Sequence, residues 1–342
     1  MFLVTGGAGF LGQFLVEDLV ARGERVRSLD VLPHAFASLG DQVEMVQADI
    51  TDPVAVSKAV DGCEVVYHNA ALVPITRSGS RFWQVNVDGT RNVLEACLKH
   101  GTRKVVHISS SAVYGRPKTN PVGEETPLNP FGEYGKSKAE AERVCEAFQQ
   151  RGLDISIIRP RPILGPRRLG ILEILFERVA QGRSFFILGA GSNRFQLVSV
   201  HDLLSAAYLA ATKPCRNEDF NVGAKQFTTL RDDLESLVAH AKTGSRIVSM
   251  PESPVRWSLR MLDWCRLSPF VSWHYRTASS DFWYPTEKLE RVLGWSAHYS
   301  NVDTLREAYD WYVAHQYDDR SSSSPHRRGV KGRLLGVLLR VL

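Results

Sequence analysis

The first twelve residues constrain this chain more than any other stretch, because the apolar run Met1-Phe2-Leu3-Val4 leads directly into Thr5-Gly6-Gly7-Ala8-Gly9-Phe10-Leu11-Gly12. The run reads as a buried strand. Glycines at 6, 9 and 12 allow a tight turn, a close approach by a pyrophosphate and close packing of the next helix. That helix is expected from about Phe10 to Arg22, with its first amides, those of Phe10 and Leu11, aimed at phosphate. A second strand, Arg25 to Leu29, ends in Asp30. An acid there can accept hydrogen bonds from adenosine ribose hydroxyls and would repel a 2′-phosphate. Val31, Leu32 and Pro33 supply no arginine for such a phosphate, so NAD is favoured over NADP.

The alternation continues. Strands are expected at Val43 to Gln47, Glu64 to His68, Lys104 to Ile108 and Asp154 to Ile158. Helices are expected from Pro53, up to about His100, and from Phe131 to Arg151. Strands separated by helices define an α/β chain with a doubly wound parallel sheet. Asp49 and Ile50 follow a strand and are placed near the adenine. In His68-Asn69-Ala70-Ala71 the small residues let a cofactor lie against the backbone, while His68 reads as a packed strand-end residue.

After Arg159-Pro160 the pattern breaks at Pro162, Gly165, Pro166 and Gly170. Residues 1–165 are expected to bind NAD, with 195–222 returning to the same sheet, and 166–194 and 223–315 to bind substrate. The latter include helices at Leu172 to Gln181, Pro254 to Cys265 and Asn301 to His315. Residues 316–328, with Ser321 to Ser324 and Pro325, read as a flexible linker. Residues 329–342 read as an amphipathic helix in which Arg333, Gly336 and Arg340 mark a narrow polar stripe against a leucine- and valine-rich arc. Fourteen residues rise about 21 Å, short of a bilayer core, so this tail is expected to lie on a membrane surface rather than span it.

Chemistry concentrates between Lys104 and Lys138. Tyr134 and Lys138 are expected in the middle of a helix, on one face and one turn apart, where the ammonium would lower the phenol's pKa and make it a general acid/base. Two other Tyr-x-x-x-Lys pairs do not suit that role. Tyr114/Lys118 contains Gly115 and Pro117, and Pro285 places Tyr284 ahead of its helix. Ser110 lies just past a strand end, where its hydroxyl can reach the same substrate oxygen. Asn86, inside the long helix, is expected to join the active site through water.

Composition excludes little but is useful in one respect. Of 42 lysines and arginines, five lie in residues 321–342, which hold no acid, so the remainder balances the 37 acids and gives no compositional support for nucleic-acid binding. Five scattered cysteines without a C-x-x-C pair predict buried free thiols in a reducing compartment and no zinc site. The apolar start runs straight into the glycine turn, so no signal peptide is expected and the protein is placed in the cytoplasm, with peripheral contact to the inner face of a membrane through the tail.

Taken as an ordered set, the glycine turn, Asp49-Ile50-Thr51-Asp52, His68-Asn69-Ala70-Ala71, Asn86-Val87-Asp88-Gly89-Thr90, Ser109-Ser110-Ser111-Ala112-Val113-Tyr114-Gly115 and Tyr134/Lys138 resemble the extended short-chain dehydrogenase/reductase family, of the epimerase/dehydratase and 3β-hydroxysteroid dehydrogenase type. The resemblance runs from Met1 to about His315. It implies a Rossmann fold, bound NAD, Tyr134 as acid/base, Lys138 on the nicotinamide ribose and Ser110 polarising the substrate oxygen. It also implies a homodimer through the helices near 80–100 and 131–151.

Departures from the family pattern bear on the substrate. Ser111 and Ala112 stand where dehydratases of the family carry an acidic pair. Pro162 stands in place of a diphosphate-binding asparagine and Phe195 in place of an arginine, with Arg194 one position off. By contrast, Arg81-Phe82-Trp83-Gln84-Val85-Asn86 and Leu188-Gly189-Ala190-Gly191-Ser192-Asn193 are similar to the hydroxysteroid branch. The resulting expectation is a secondary alcohol/ketone oxidoreductase acting on a lipid-like substrate. The alternatives are a nucleotide-sugar 4-epimerase and a catalytically silent NAD-binding scaffold.

Overall fold

A computed structural model of the chain describes residues 1–33, 36–73, 79–168, 171–255, 257 and 280–315. Seven parallel strands form the central sheet: β1 (Phe2–Thr5), β2 (Val26–Asp30), β3 (Val43–Gln47), β4 (Val65–His68), β5 (Lys104–Ile108), β6 (Ile155–Pro160) and β10 (Asp219–Val222), in the order β10-β6-β5-β4-β1-β2-β3. The inner strands are buried along their whole length, as a sheet covered by two helix layers requires, and are mainly apolar, with buried polar exceptions such as Lys104, His107, Ser156 and Arg159. The strand order reverses between β1 and β4, which opens a crevice at their carboxyl ends.

One face is covered by α1 (Phe10–Ala21), the other by α2 (Pro53–Val60), α3 (Gly89–His100) and α4 (Gly132–Gln150). Local chemistry sets several of these starts. Pro53 occupies the first position of α2, and the Asp52 carboxylate accepts from the Val54 and Ala55 amides at 2.9 and 3.1 Å. A widened turn, Gln84–Asp88, leads directly into α3.

Residues 195–222 contribute one strand to the central sheet. A short strand, β9 (Val198–Ser199), enters α6 (Val200–Thr212), which packs beside α1, and β10 then adds to the edge at β6. Away from the sheet, α5 (Ile171–Ala180), α7 (Leu230–Ala241) and α9 (Asn301–Ala314) surround a separate cluster centred on Phe176, Leu237 and Tyr309. A short helix, α8 (Glu287–Leu293), packs against α6.

The sequence reading missed a small parallel pair in this region, β8 (Phe185–Leu188) with β11 (Ile247–Met250). The two runs are far apart in sequence and identify each other only by contact. β7 (Ile163–Leu164) similarly pairs with β9.

Cys63, Cys97, Cys145 and Cys215 are buried free thiols, whereas Cys265 lies outside the described residues. So do most of the expected 254–265 helix, the 316–328 linker and the 329–342 tail. Among the described residues, no helix is long and apolar enough to cross a membrane.

Candidate active site

At the switch point the ends of β1 and β4 are tied by one side chain. Thr5 Oγ1 accepts from the Asn69 and Ala70 amides, each at 3.1 Å, and lies 2.9 Å from His68 Nδ1. This draws the small residues after β4 against the glycine turn. Gly6 has φ +73°, and a Cβ there would sit 2.9 Å from Ala70 Cα; one on Gly12 would collide with the Gly6 carbonyl. Only glycine fits either position. Gly9 precedes α1 without a side-chain cap, so the first amides of the helix remain available to an anion.

Asp30 is held facing the same crevice. Its carboxylate accepts from the Ala8 amide at 3.0 Å and the Leu32 amide at 2.9 Å, which fixes its orientation while leaving lone pairs for further donors.

A cavity of about 510 Å³ follows the crevice. Gly6, Gly9, Phe10, Leu11, Asp30, Asp49, Ile50, Asn69, Ala70 and Ala71 line one end of it, and Ser110, Tyr134 and Lys138 line its further part. Of the residues singled out from the sequence, Gly12 and Asn86 do not line it. Gly12 acts by close packing instead. The glycine cradle, the open helix terminus and the fixed acid fit the pyrophosphate and adenosine ribose of NAD.

Tyr134 lies in the first turn of α4, not mid-helix as the sequence suggested. Its ring packs edge-on against Phe82, with centroids 6.2 Å apart. Burial pushes the phenol's pKa above its ordinary value, and the Ser110 hydroxyl and the Arg168 guanidinium oppose that rise. Lys138 does not supply the expected lowering. Its Nζ turns to the end of β5, donating to the Ile108 carbonyl at 2.6 Å and lying 3.5 Å from His107 Nε2.

Burial depresses the Lys138 ammonium to about 8. It holds His107 well below the usual histidine range, with the nearby Lys138 charge acting in the same direction. At neutral pH Lys138 thus keeps its proton while the neighbouring His107 is held neutral.

Asn86 makes direct contacts where a water-mediated link was expected. Its Oδ1 accepts from the Leu72 amide at 2.8 Å, and its Nδ2 donates to the Leu72 carbonyl at 3.2 Å and to Ser137 Oγ at 3.0 Å. It pins the cavity wall after Ala71 to the residue preceding Lys138. His68, expected to be a packed residue, is buried between Thr5 and Thr90.

Beneath the site lies a polar network that the sequence did not disclose. Glu142 on α4 accepts from Ser109 Oγ and pairs with Arg159, whose Nη2 lies 2.8 Å from Glu142 Oε2 and 2.7 Å from Asp219 Oδ2. Arg159 Nη1 also donates to the Tyr114 hydroxyl at 3.0 Å. The network locks α4 to β5, β6 and β10 and so fixes the height of Tyr134 above the sheet. Arg161 and Arg168, which line the cavity, were also missed. The one available signal was an arginine between two prolines, Pro160-Arg161-Pro162, immediately past a buried strand.

A glycine-cradled crevice at the switch point of a parallel sheet, leading to a Ser/Tyr/Lys constellation, defines an oxidoreductase-type site for a nicotinamide dinucleotide. Residues 2–223 match the NAD-dependent epimerase/dehydratase family, and the chain belongs to that family, within the extended short-chain dehydrogenases/reductases. Its enzymes are NAD-dependent epimerases, dehydratases and dehydrogenases, and NAD is the cofactor.

The chain is 36% identical over 350 residues to a 3β-hydroxysteroid dehydrogenase/Δ5→4-isomerase of Mycobacterium tuberculosis, covering 91% of this chain and 90% of that protein. It is 35% identical over 269 residues to a UDP-glucose 4-epimerase of Mycolicibacterium smegmatis, covering 74% and 84%. The structure of a UDP-glucose 4-epimerase from Thermotoga maritima with UDP-glucose superposes with a TM-score of 0.78 at 25% identity, covering 92% of this chain and 99% of that one.

Proposed function

We propose that the protein interconverts a secondary alcohol and a ketone on a lipid-like substrate. Bound NAD supplies the chemistry of accepting or returning a hydride at the carbinol carbon. Tyr134 moves the hydroxyl proton, Ser110 hydrogen-bonds the same oxygen, and Lys138, anchored on the Ile108 carbonyl, holds positive charge behind the phenol. The observation that supports the substrate class is the presence of Val85, Leu172, Phe195 and Leu197 in the cavity lining, although Arg81, Arg161 and Arg168 line the same cavity. Phe195 and Pro162 occupy positions where the family's sugar-nucleotide enzymes carry polar contacts.

A 4-epimerase is the second reading, favoured by the similarity to UDP-glucose 4-epimerases at 35% and 25% identity. Incubating the purified protein and NAD with panels of lipid alcohols and of nucleotide sugars separates the two. Net NADH from a lipid alcohol is the expected result. Isomerised sugar without net NADH would replace this reading with the epimerase. The same proposal includes a homodimer through α4 and the helix running from Arg81 to His100, to be checked by light scattering.

A further inference from the structure

Two consecutive arginines, Arg167 and Arg168, follow β7 and lie along α1, and only the first is paired. Arg167 stacks on Phe14, its Cζ 3.9 Å from the ring centroid, and its guanidinium forks onto Glu17 with hydrogen bonds of 2.7 and 2.6 Å. Its φ of +65° is uncommon for a residue with a side chain, and the fork helps to hold the backbone there. Arg168 rests one turn nearer the start of the same helix, with Cζ 5.0 Å from the ring centroid of Phe10, the first residue of α1. Among the described residues its guanidinium has no hydrogen bond and no ion pair. Arg168 is half-buried and lines the cavity, and its nitrogens are not among those sealed without a partner, as both Nη atoms of Arg161 are.

No acid lies in the first turn of α1, and of the acids lining the cavity, Asp30 ends β2 and Asp49 follows β3. An unpaired guanidinium beside the uncapped start of a helix brings two positive features together, since the free amides there carry about half a positive charge. That arrangement is unfavourable by itself and becomes favourable with an anion between them.

The position along the cavity narrows which anion. Arg168 and the Tyr134 phenol feel each other's charge: the guanidinium opposes the rise of the phenol, and the phenol opposes the fall of the guanidinium, which burial takes to about 10. Arg168 therefore stays charged at neutral pH, placed between the glycine cradle and the reacting end. In a bound dinucleotide that stretch is the pyrophosphate, whose nicotinamide-side half is the nearer to the tyrosine.

We propose that Arg168 pairs with the nicotinamide-side phosphate of bound NAD. The cofactor is then held from two parts of the chain, the amides of the glycine turn and a guanidinium carried by the loop after β7. That loop opens the stretch expected to bind substrate, yet Arg167 fastens it to the cofactor helix.

The test is calorimetric titration of the full-length protein, freed of nucleotide, with NAD, ADP-ribose and AMP. The first two carry both phosphates, whereas AMP carries only the adenosine-side one. Arg168→Met is expected to weaken NAD and ADP-ribose by about tenfold or more, and AMP by less than about twofold. Arg168→Lys keeps a charge without the planar fork and is expected to fall between the methionine variant and the wild type. The nucleotide-free methionine variant should melt within about 2 °C of the wild type, while the rise in melting temperature on adding NAD should shrink. If that variant does not fold, the lysine variant carries the test, and its loss on NAD must exceed its loss on AMP.

Unchanged affinity for NAD and ADP-ribose in Arg168→Met overturns the proposal. An equal loss on AMP overturns it too, and moves the contact to the adenosine side. So does a lysine variant as weak as the methionine one, because charge would then not be what the site reads. A lowered melting temperature with NAD affinity intact would make Arg168 a packing residue on Phe10. None of these titrations requires turnover, so their outcome is independent of the NADH assay.

Discussion

Lys138 reaches past Tyr134 and donates to the Ile108 carbonyl, the last residue of β5, at 2.6 Å. The ammonium is therefore held by the sheet rather than by the phenol. On the proposed function, its effect on catalysis would pass through the cofactor's position and the local field.

That burial predicts a pH signature. A lysine that titrates near 10.5 when unfolded and about 8 when folded keeps its proton only in the unfolded chain between those two values. Stability should therefore rise with pH across that window, by up to about 3 kcal/mol at 1.36 kcal/mol per unit. Below about 8 the cost of burying the charge is constant. Chemical unfolding of the NAD-free protein at a series of pH values should show this rise relative to Lys138→Met, and identical profiles for the two proteins would refute it.

Tyr134→Phe should remove turnover while leaving NAD binding nearly intact, because in the proposed function the hydroxyl handles the substrate proton, while the ring packing on Phe82 is kept. Loss of a general acid/base costs about 10² to 10⁴-fold in rate. Retention of more than about a tenth of the activity would show that another group moves the proton.

Asp30 should set the preference for NAD over NADP. Asp30→Gly is expected to narrow the difference between the two Kd values by removing the carboxylate that repels a 2′-phosphate. It should also weaken NAD binding itself, since the Ala8 and Leu32 amides lose their shared acceptor. Direct titration with both nucleotides decides it, and an unchanged ratio would show that discrimination lies elsewhere.

For the tail, the sequence alone carries a proposal. Five basic residues from Arg327 onward, each contributing up to about 1 kcal/mol near an anionic surface, combine with the leucine-rich arc to give reversible attachment. In flotation with anionic liposomes, full-length protein should rise with the lipid and a chain ending at Ser324 should not. Identical partitioning of the two would end the tether idea.

The glycine turn, Asp30 and the strand and helix order were legible in the sequence because each is local. A positive φ, an apolar run and a strand-end acid need no distant partner to be recognised. The order of Ser110, Tyr134 and Lys138 was legible for the same reason. The depth of Tyr134 in its helix was misread although the expected bounds, Phe131 to Arg151, nearly match Gly132–Gln150, because the four-residue spacing to Lys138 fixes a shared face and not a distance from the helix start.

What the tertiary structure alone decided is which charges are paired. Arg159 and Arg161 are chemically identical and one residue apart in sequence, yet Glu142 and Asp219 converge on the first and aromatic rings on the second. The same holds for Lys138, whose partner is a carbonyl at the end of a strand 30 residues away. Helical spacing placed it near Tyr134, but the burial that shifts its proton and directs its hydrogen bond arises only when α4 packs on the sheet. Sequence specified the cofactor cradle, where backbone conformation is the determinant. Packing specified the electrostatics of the reacting end, where the determinant is which long side chains lose water and what each meets there.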